Sequence, residues 1–211
     1  YSQRFLELEE KMKMEINSCN TYSKIINIGC VNCIYNCHLK PHISQLMNKH
    51  TNICLNVILD HSRHLLNRLH DNSIDVCFSY LATNEISYKC IPYKTDEIIF
   101  VTNSQNIQFS NGIHNGEILH LPIIYSKFMP KSGFDWIHDI FPPHYVFQFT
   151  ISVIKEIIPF LLQYPYYAFL PRKLIEKELK DGLLIEIPLL DYHIPPLQSY
   201  IIMKSNAKYN P

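Results

Sequence analysis

The 211-residue chain is long enough for one large domain or two small lobes, and its 47% hydrophobic composition excludes a disordered segment. Its 19 Lys and Arg residues balance 19 Asp and Glu residues, so it lacks the basic excess of a free-standing nucleic-acid-binding domain. No apolar run is long enough to span a bilayer, which argues against a transmembrane helix.

Residues 1–22 are predicted to form a helix. Its apolar residues recur at steps of three and four, at Phe5, Leu8, Met12, Ile16 and Cys19. One apolar stripe on a polar helix is typical either of packing on its own domain or of a dimerising linker helix. The segment lacks the apolar centre of a signal peptide, so we expect a cytoplasmic protein. The chain does not begin with Met, and we expect it to be part of a longer protein.

The next hundred residues alternate between strands and helices. The β-branched run 24–31 predicts a buried strand, Asn32 is predicted to cap the helix that follows, and Pro41 to interrupt or restart it. Helix, strand, helix and strand are then predicted at residues 42–50, 52–60, 62–70 and 74–80, with Ser62 as the cap of the second of these helices. This order predicts right-handed crossovers and a parallel sheet.

The second half repeats the pattern. Strands are predicted at residues 88–93, 96–103, 122–126, 145–149, 166–171, 183–189 and 197–204. Helices are predicted at 132–141, 151–163 and 172–180, with Ser132 and Thr150 as N-terminal caps and Gly182 at the end of the last helix. A polar loop before residue 122 leads to a further short helix. We therefore expect two α/β lobes with a cleft between facing strand ends.

Ligands of open α/β sheets bind where strands lead into helices. The sequence offers hydroxyl groups and backbone N–H groups at five such positions: Asn32, Cys33, Ser62, Ser126 and Thr150. Helix starts attract negative charge, so this arrangement predicts a small anionic ligand, typically a carboxylate. Protonated His61 and His64 would strengthen the attraction at Ser62.

The order of these motifs resembles the effector-binding domain of LysR-type transcriptional regulators. "KIINIGC" resembles that family's first strand, and "HLKPHISQLMNKHTNICLNVIL" the segment after it. "HSRHLLNRLHDNSIDVCF" resembles the family's S/T-x-E-L-L-x-x-L-x-x-G-x-x-D segment, and "FLPRKLIEKELKDGLLIEIPL" its LLP segment. The resemblance covers nearly the whole chain, and it is carried by the order and spacing of the segments.

The resemblance implies a two-lobed, periplasmic-binding-protein-like (type II) α/β fold, each lobe a mixed, mostly parallel sheet flanked by helices. Residues 1–22 would end the linker helix, 23–98 plus 195–211 would form regulatory lobe I, and 99–194 lobe II. The family's winged helix-turn-helix, through which DNA would be bound, is not within this chain. Homodimers or tetramers are expected, pairing through the 41–50 helix and the 52–59 strand.

The resemblance also assigns effector contacts. Ser62 matches the family's effector-binding Ser or Thr, Asn32 and Cys33 match the start of its first helix, and Ser126 and the Phe149–Thr150 pair lie near its second-lobe contacts. Three positions depart from the pattern. His64 replaces the usual Glu, Asn72 replaces a Gly, and the ring-bearing segment 164–166 replaces a Gly-x-Gly, so large rings are expected to fill or reshape the cleft.

The cysteines allow functional interpretations other than an effector-binding domain. The seven cysteines are Cys19, Cys30, Cys33, Cys37, Cys54, Cys77 and Cys90. "CVNCIYNCH" places Cys33 with Cys37, and His38 with His42, at helical spacing, which suits zinc or copper. No second paired motif completes a metal site, so we expect buried core thiols, no metal and no cofactor. A thiol enzyme using Cys33 and His38, a redox sensor and a plain solute-binding protein remain as alternatives to an effector sensor.

Overall fold

The computed structural model describes residues 22–126 and 136–205. The predicted linker helix, apart from its last residue, and the predicted cap Ser132 lie outside these ranges. Within them the chain forms two α/β lobes, which confirms the predicted fold class.

Lobe I contains a five-stranded mixed sheet. Its strands, in the spatial order β2-β1-β3-β10-β4, are Ile53–Leu59, Lys24–Cys30, Val76–Ser79, Leu197–Lys204 and Tyr88–Asp96. The first three run parallel, as their helical crossovers require, and β10 pairs antiparallel with both β3 and β4. Pro92 is tolerated in β4 because that strand lies at the edge of the sheet.

Two helices connect the parallel strands of lobe I. Helix α1 is continuous through three segments, which are Asn32–Ile34, the π-helical Tyr35–Leu39 and Lys40–Lys49. Helix α2 spans Ser62–His70 and buries Leu65 and Leu69 against the sheet. Pro41 was expected to interrupt or restart α1. Instead the helix widens just before it, and the Lys40 N–H bonds to the Tyr35 carbonyl five residues back, which accommodates the proline ring.

Lobe II repeats part of the strand order of lobe I. Strand β5 (Ile98–Asn103) pairs antiparallel with β8 (Tyr167–Pro171) and β9 (Leu184–Glu186). Strands β6 (Ile124–Ser126) and β7 (Phe149–Ile151) pair in parallel, and a bridge between Ile123 and Tyr167 joins them to β8. The resulting order is β7-β6-β8-β5-β9. Its first three strands match β2-β1-β3 of lobe I, but the fourth place is taken by the first strand of lobe II, β5, where lobe I has its last strand, β10.

Short helices cover the sheet of lobe II. They are α3 (Asn115–Ile118), α4 (Trp136–Ile140), α5 (a 3₁₀ turn Ile154–Ile157 followed by Ile158–Gln163) and α6 (Arg172–Ile175 followed by Glu176–Lys180). Gly182 adopts a positive φ of 67° and ends α6, as predicted. None of the helices within the described residues has both the length and the apolar character needed to cross a membrane.

The two lobes meet where β4 crosses into β5. Glu97 lies between these strands, and its carbonyl accepts a hydrogen bond from the backbone N–H of Arg172 in lobe II (2.9 Å). The start of α1 contacts the turn Ile154–Ile157, and the π-helical segment contacts Arg172–Ile175. Helix α1 is therefore the element of lobe I that lies directly against lobe II.

Three predicted caps and one predicted strand are wrong. Val31, His61 and Val153 occupy the N-cap positions before α1, α2 and α5, and none of them makes a side-chain cap bond. Asn32 and Ser62 are instead the first residues of their helices, and Thr150 lies in the middle of β7.

Residues 145–149 alternate between half-buried and exposed but form no strand before Phe149. The Phe147 ring stacks on Tyr125 with a centroid distance of 4.3 Å, and the Tyr145 ring packs against Phe141 at 4.8 Å. The alternation in this segment therefore reflects the packing of aromatic rings and not backbone pairing.

Candidate functional site

The predicted first-lobe residues collect at one edge of the lobe I sheet. Cys33 follows β1, Ser62 follows β2 and Tyr80 follows β3. These strands are parallel, so their carboxyl ends lie at the same edge, and backbone bonds tie that edge together. The Val31 N–H donates to the Phe78 carbonyl at 3.1 Å, which connects the loops after β1 and β3.

Ser62 is buried, with 5% of its surface exposed, and its hydroxyl faces the loop after β3. The backbone N–H of Tyr80 donates to Ser62 Oγ at 3.3 Å. The hydroxyl therefore acts as an acceptor, and no acceptor for its own proton is found within residues 22–126 and 136–205. Ser62 thus keeps a free donor beside the backbone N–H groups of the first turn of α2, which a helix does not satisfy internally.

Asp60 forms hydrogen bonds with groups on the outer side of the same helix start. Its Oδ1 accepts hydrogen bonds from the His61 backbone at 2.7 Å and from the His64 ring at 3.1 Å. Burial alone would raise the pKa of Asp60, but these two hydrogen bonds, together with the charges of His64 and Arg68, lower the pKa. His64, which replaces the family's Glu, therefore binds an acidic side chain of its own domain.

The predicted second-lobe residues are also neighbours. Ser126 pairs with Ile151 across the parallel strands β6 and β7, while Tyr125 pairs with Thr150. Ser126 is 4% exposed, and its Oγ has no hydrogen-bond partner among the residues that the structure describes. A buried hydroxyl without a partner is costly, so this atom is a candidate ligand contact. Thr150 is exposed, and Phe149 packs against Phe160.

One turn connects the two groups of predicted residues. Ile154–Ile157 contacts the start of α1 in lobe I, and it also contacts β6 and β7 in lobe II. Asn32 and Cys33 therefore lie on one side of this turn, and Ser126 and the Phe149–Thr150 pair lie on the other. Ser62 lies next to Tyr80, which is in the loop after β3.

Two of the departures from the family pattern have clear structural outcomes. Asn72 adopts a φ of 60°, the left-handed conformation for which glycine is favoured, and its side chain accepts a bond from Lys204 (2.6 Å). Of the rings at 164–166, Tyr164 is half exposed, and it contacts Tyr166 edge-on at 6.1 Å.

A buried polar cluster lies beside the predicted site, and it includes Asp96, which the sequence analysis did not single out. His38 Nε2 is 2.7 Å from Asp96 Oδ1, and the Tyr80 hydroxyl donates to Asp96 Oδ2 at 3.4 Å. The sulfur atoms of Cys33 and Cys37 are 3.8 Å apart in the same region. His42, one helical turn from His38, is exposed and is not part of this cluster. One sequence signal could have indicated Asp96. It is an acidic residue at the end of a strand, and an apolar run follows it.

The surroundings of Cys37, Tyr80 and Cys30 raise the pKa of each of these groups. The hydrogen bond with Cys33 and burial both raise the pKa of Cys37, and burial, followed by the nearby Cys33 and Asp96, raises that of Tyr80. Cys30 is fully buried, its thiol donates to the Val31 carbonyl, and burial raises its pKa, in agreement with the predicted core role. The cysteines within the described residues are free thiols.

Comparisons with known proteins agree with this architecture. Residues 20–211 match the family model described as the LysR substrate binding domain. Sequence comparison with curated proteins yields no match. Among solved structures, the chain is similar to CrgA, a LysR-type transcriptional regulator from Neisseria meningitidis, with a TM-score of 0.71 and 12% identity, covering 96% of this chain and 69% of that one.

Two further structures show the same fold. OxyR from Corynebacterium glutamicum, solved as a cysteine-to-serine mutant with H2O2 bound, gives a TM-score of 0.64 and 16% identity, covering 98% of this chain and 67% of that one. The effector-binding domain of BenM with its effector benzoate gives a TM-score of 0.60 and 18% identity, covering 87% and 85%. Because the family model spans nearly the whole chain, this protein belongs to the LysR substrate-binding domain family, the effector-binding domains of LysR-type transcriptional regulators.

Proposed function

We propose that the domain senses a small anionic metabolite, which binds between the lobes and contacts Asn32, Cys33, Ser62, Ser126, Phe149 and Thr150. The observation that carries the proposal is the pair of buried hydroxyls, one in each lobe. Ser62 has a free donor at a helix start, and Ser126 has no partner within the described part of the chain. A carboxylate would accept from both hydroxyls and from backbone N–H groups at the start of α2.

Two further considerations support a carboxylate. The similar BenM domain was solved with benzoate as its effector, although its 18% identity carries only the fold. Asp60 already has three partners on the outer side of the helix start, His61, His64 and Arg68, so its charge is largely balanced there. The proposed ligand would therefore approach Ser62 from the side of Tyr80 and α1.

The same proposal states which parts of the chain move when the ligand binds. Residues 23–98 with 195–211 would move as one body against 99–194, and a ligand held by both would stabilise the closed arrangement by its differential affinity. That closure would alter how DNA-binding domains on the longer, cytoplasmic protein are spaced on their half-sites. In this account the domain is a sensor and catalyses no reaction.

Thermal unfolding in the presence of carboxylates tests the proposal. Benzoate, succinate and citrate are added to wild type, Ser62→Ala and Thr51→Ala, the last being an exposed control in the turn before β2. At least one carboxylate should raise the Tm of wild type and of Thr51→Ala, because ligand that binds only the folded state stabilises it. Ser62→Ala should lose most of that gain. The same gain in Ser62→Ala would contradict the proposed site.

A further inference from the structure

The buried cluster of Cys33, Cys37, His38 and Asp96 has the composition of a metal site. Two thiols, an imidazole and a carboxylate supply two sulfur, one nitrogen and one oxygen donor, a set that zinc accepts in tetrahedral sites. The donor atoms of Cys37, His38 and Asp96 all lie within 4.8 Å of one another. The Cys33 sulfur, 3.8 Å from that of Cys37, is not within 4.8 Å of all three of these donor atoms, and a side-chain rotation would bring it in as the fourth ligand.

The sulfur positions match a tetrahedral ion. Zinc with Zn–S bonds of about 2.3 Å holds its two sulfurs about 3.8 Å apart. The observed separation of Cys33 Sγ and Cys37 Sγ is also 3.8 Å. The His38 imidazole and the Asp96 carboxylate are 2.7 Å apart because they form a hydrogen bond. Two ligands of one zinc ion would lie further apart than this. An ion would replace that bond, and small side-chain rotations would open it.

The π-helical segment turns the donors of one helix nearer to one another than a regular α-helix would. In a regular α-helix Cys33 and Cys37 share a face, while His38 points about 100° away from Cys37. The segment Tyr35–Leu39 widens the helix to bonds between residues five apart, so positions five apart, such as Cys33 and His38, come onto one face. Asp96 is brought to that face by the end of β4, 58 residues further along the chain.

The surroundings of the cluster favour a cation. The Asp96 side chain is 1% exposed, and a buried carboxylate requires a positive or hydrogen-bonding partner. Tyr80 donates to its second oxygen, as an outer partner does for a metal-bound carboxylate, and the Tyr93 ring meets the His38 ring edge-on at 6.1 Å. The hydrogen bond with Cys33 and burial raise the pKa of Cys37 and outweigh the nearby Lys173 ammonium, so the ion itself has to displace the thiol proton.

We propose that Cys33, Cys37, His38 and Asp96 bind one Zn²⁺ ion in a closed tetrahedral site that fastens helix α1 to the end of β4. Each thiol gives up its proton when it binds the ion. Two protons therefore leave to solvent for each Zn²⁺ bound, at a pH where the imidazole is neutral. The site lies immediately before the crossing into lobe II, so zinc would stiffen the lobe I side of that crossing. It shares Cys33 with the proposed carboxylate site, and its other three ligands are not among the residues proposed to contact the carboxylate.

Metal titration of the reduced, chelator-stripped chain tests this proposal. We expect one Zn²⁺ per chain, release of two protons and a rise in Tm. Substituted Co²⁺ should give thiolate-to-cobalt charge-transfer bands and the visible bands of tetrahedral cobalt, a readout that needs no variant. Absence of tight Zn²⁺ binding, or a cobalt spectrum without thiolate bands, would overturn the proposal.

Variants then locate the ion. The double variant Cys33→Ser/Cys37→Ser and the single variant Asp96→Asn should weaken Zn²⁺ binding by at least the about 10- to 100-fold that follows loss of outer-shell partners. Tyr80→Phe should weaken it by about 10-fold through Asp96. The matched control Cys54→Ser/Cys90→Ser removes two thiols outside the cluster and should bind as wild type does. Undiminished binding by a folded Cys33→Ser/Cys37→Ser chain would refute the site, and if that variant fails to fold, the wild-type cobalt spectrum decides.

Discussion

At the scale of single residues, Asp60 binds groups at the start of helix α2 although it lies outside the helix. The carboxylate stands two positions before the start of α2, and it accepts hydrogen bonds from the His61 backbone and the His64 ring. Sequence reasoning gave the capping role to Ser62, because a hydroxyl at a helix start is the commoner signal. In the structure Asp60 binds groups at the start of the helix instead, and Ser62 Oγ accepts a hydrogen bond from the Tyr80 backbone.

Asp60→Asn tests the charge of this cap through the pH dependence of stability. The folded-state pKa of Asp60 lies below its unfolded value, so its stabilising contribution is present above the unfolded pKa. It is lost as pH falls through the folded pKa. Urea unfolding should find the variant less stable than wild type at pH 7, and the difference should vanish in strong acid. A difference that stays constant down to the lowest pH would show that the charge plays no part.

At the scale of elements, helix α1 is held to strand β4 by a contact between His38 and Asp96. Helical periodicity and alternation predicted both elements, since each depends on neighbours in the sequence. The contact could not be predicted, because it joins residues 58 positions apart and depends on the π-helical segment before Pro41. The same limit explains the strand wrongly predicted at 145–149, whose alternation fits aromatic packing equally well.

His38→Ala should destabilise the metal-free chain by about 3 kcal/mol. Removing one partner of a buried pair leaves the other charge without compensation, and Asp96 is almost fully buried. The matched control is His42→Ala, because His42 lies on the same helix but is exposed, and it should change stability by less than about 0.5 kcal/mol. Urea unfolding with a chelator present measures both. Equal effects from the two substitutions would mean that the buried pair does not stabilise the fold.

At the scale of the whole molecule, the chain repeats part of one strand order in two lobes and leaves one surface of lobe I uncovered. The segment Lys40–Lys49 of α1 has no buried residue, and β2 lies at the edge of its sheet. LysR-type regulators oligomerise, and the resemblance pointed to this helix and strand for pairing. We propose that a second copy of the chain covers them, since an open sheet edge beside a half-apolar helix favours association.

Met47→Lys should weaken self-association, because Met47 is a large apolar side chain on the uncovered face and is 39% exposed. A charge buried there would cost more than the methionine it replaces. The control Ile107→Lys changes an apolar residue that is 71% exposed in lobe II and should leave association unchanged. Analytical ultracentrifugation at several protein concentrations measures the self-association of both variants. Equal weakening by both would place the pairing surface elsewhere.

The central claim is that one small anion contacts both lobes at once. The most direct measurement is a nuclear magnetic resonance titration of the isotope-labelled chain with the carboxylate that raises its Tm most. The account predicts that backbone amide signals shift together near Ser62 in lobe I and near Ser126 and Thr150 in lobe II, with one common dissociation constant. Shifts confined to one lobe, or spread over the outer surface away from these residues, would contradict it.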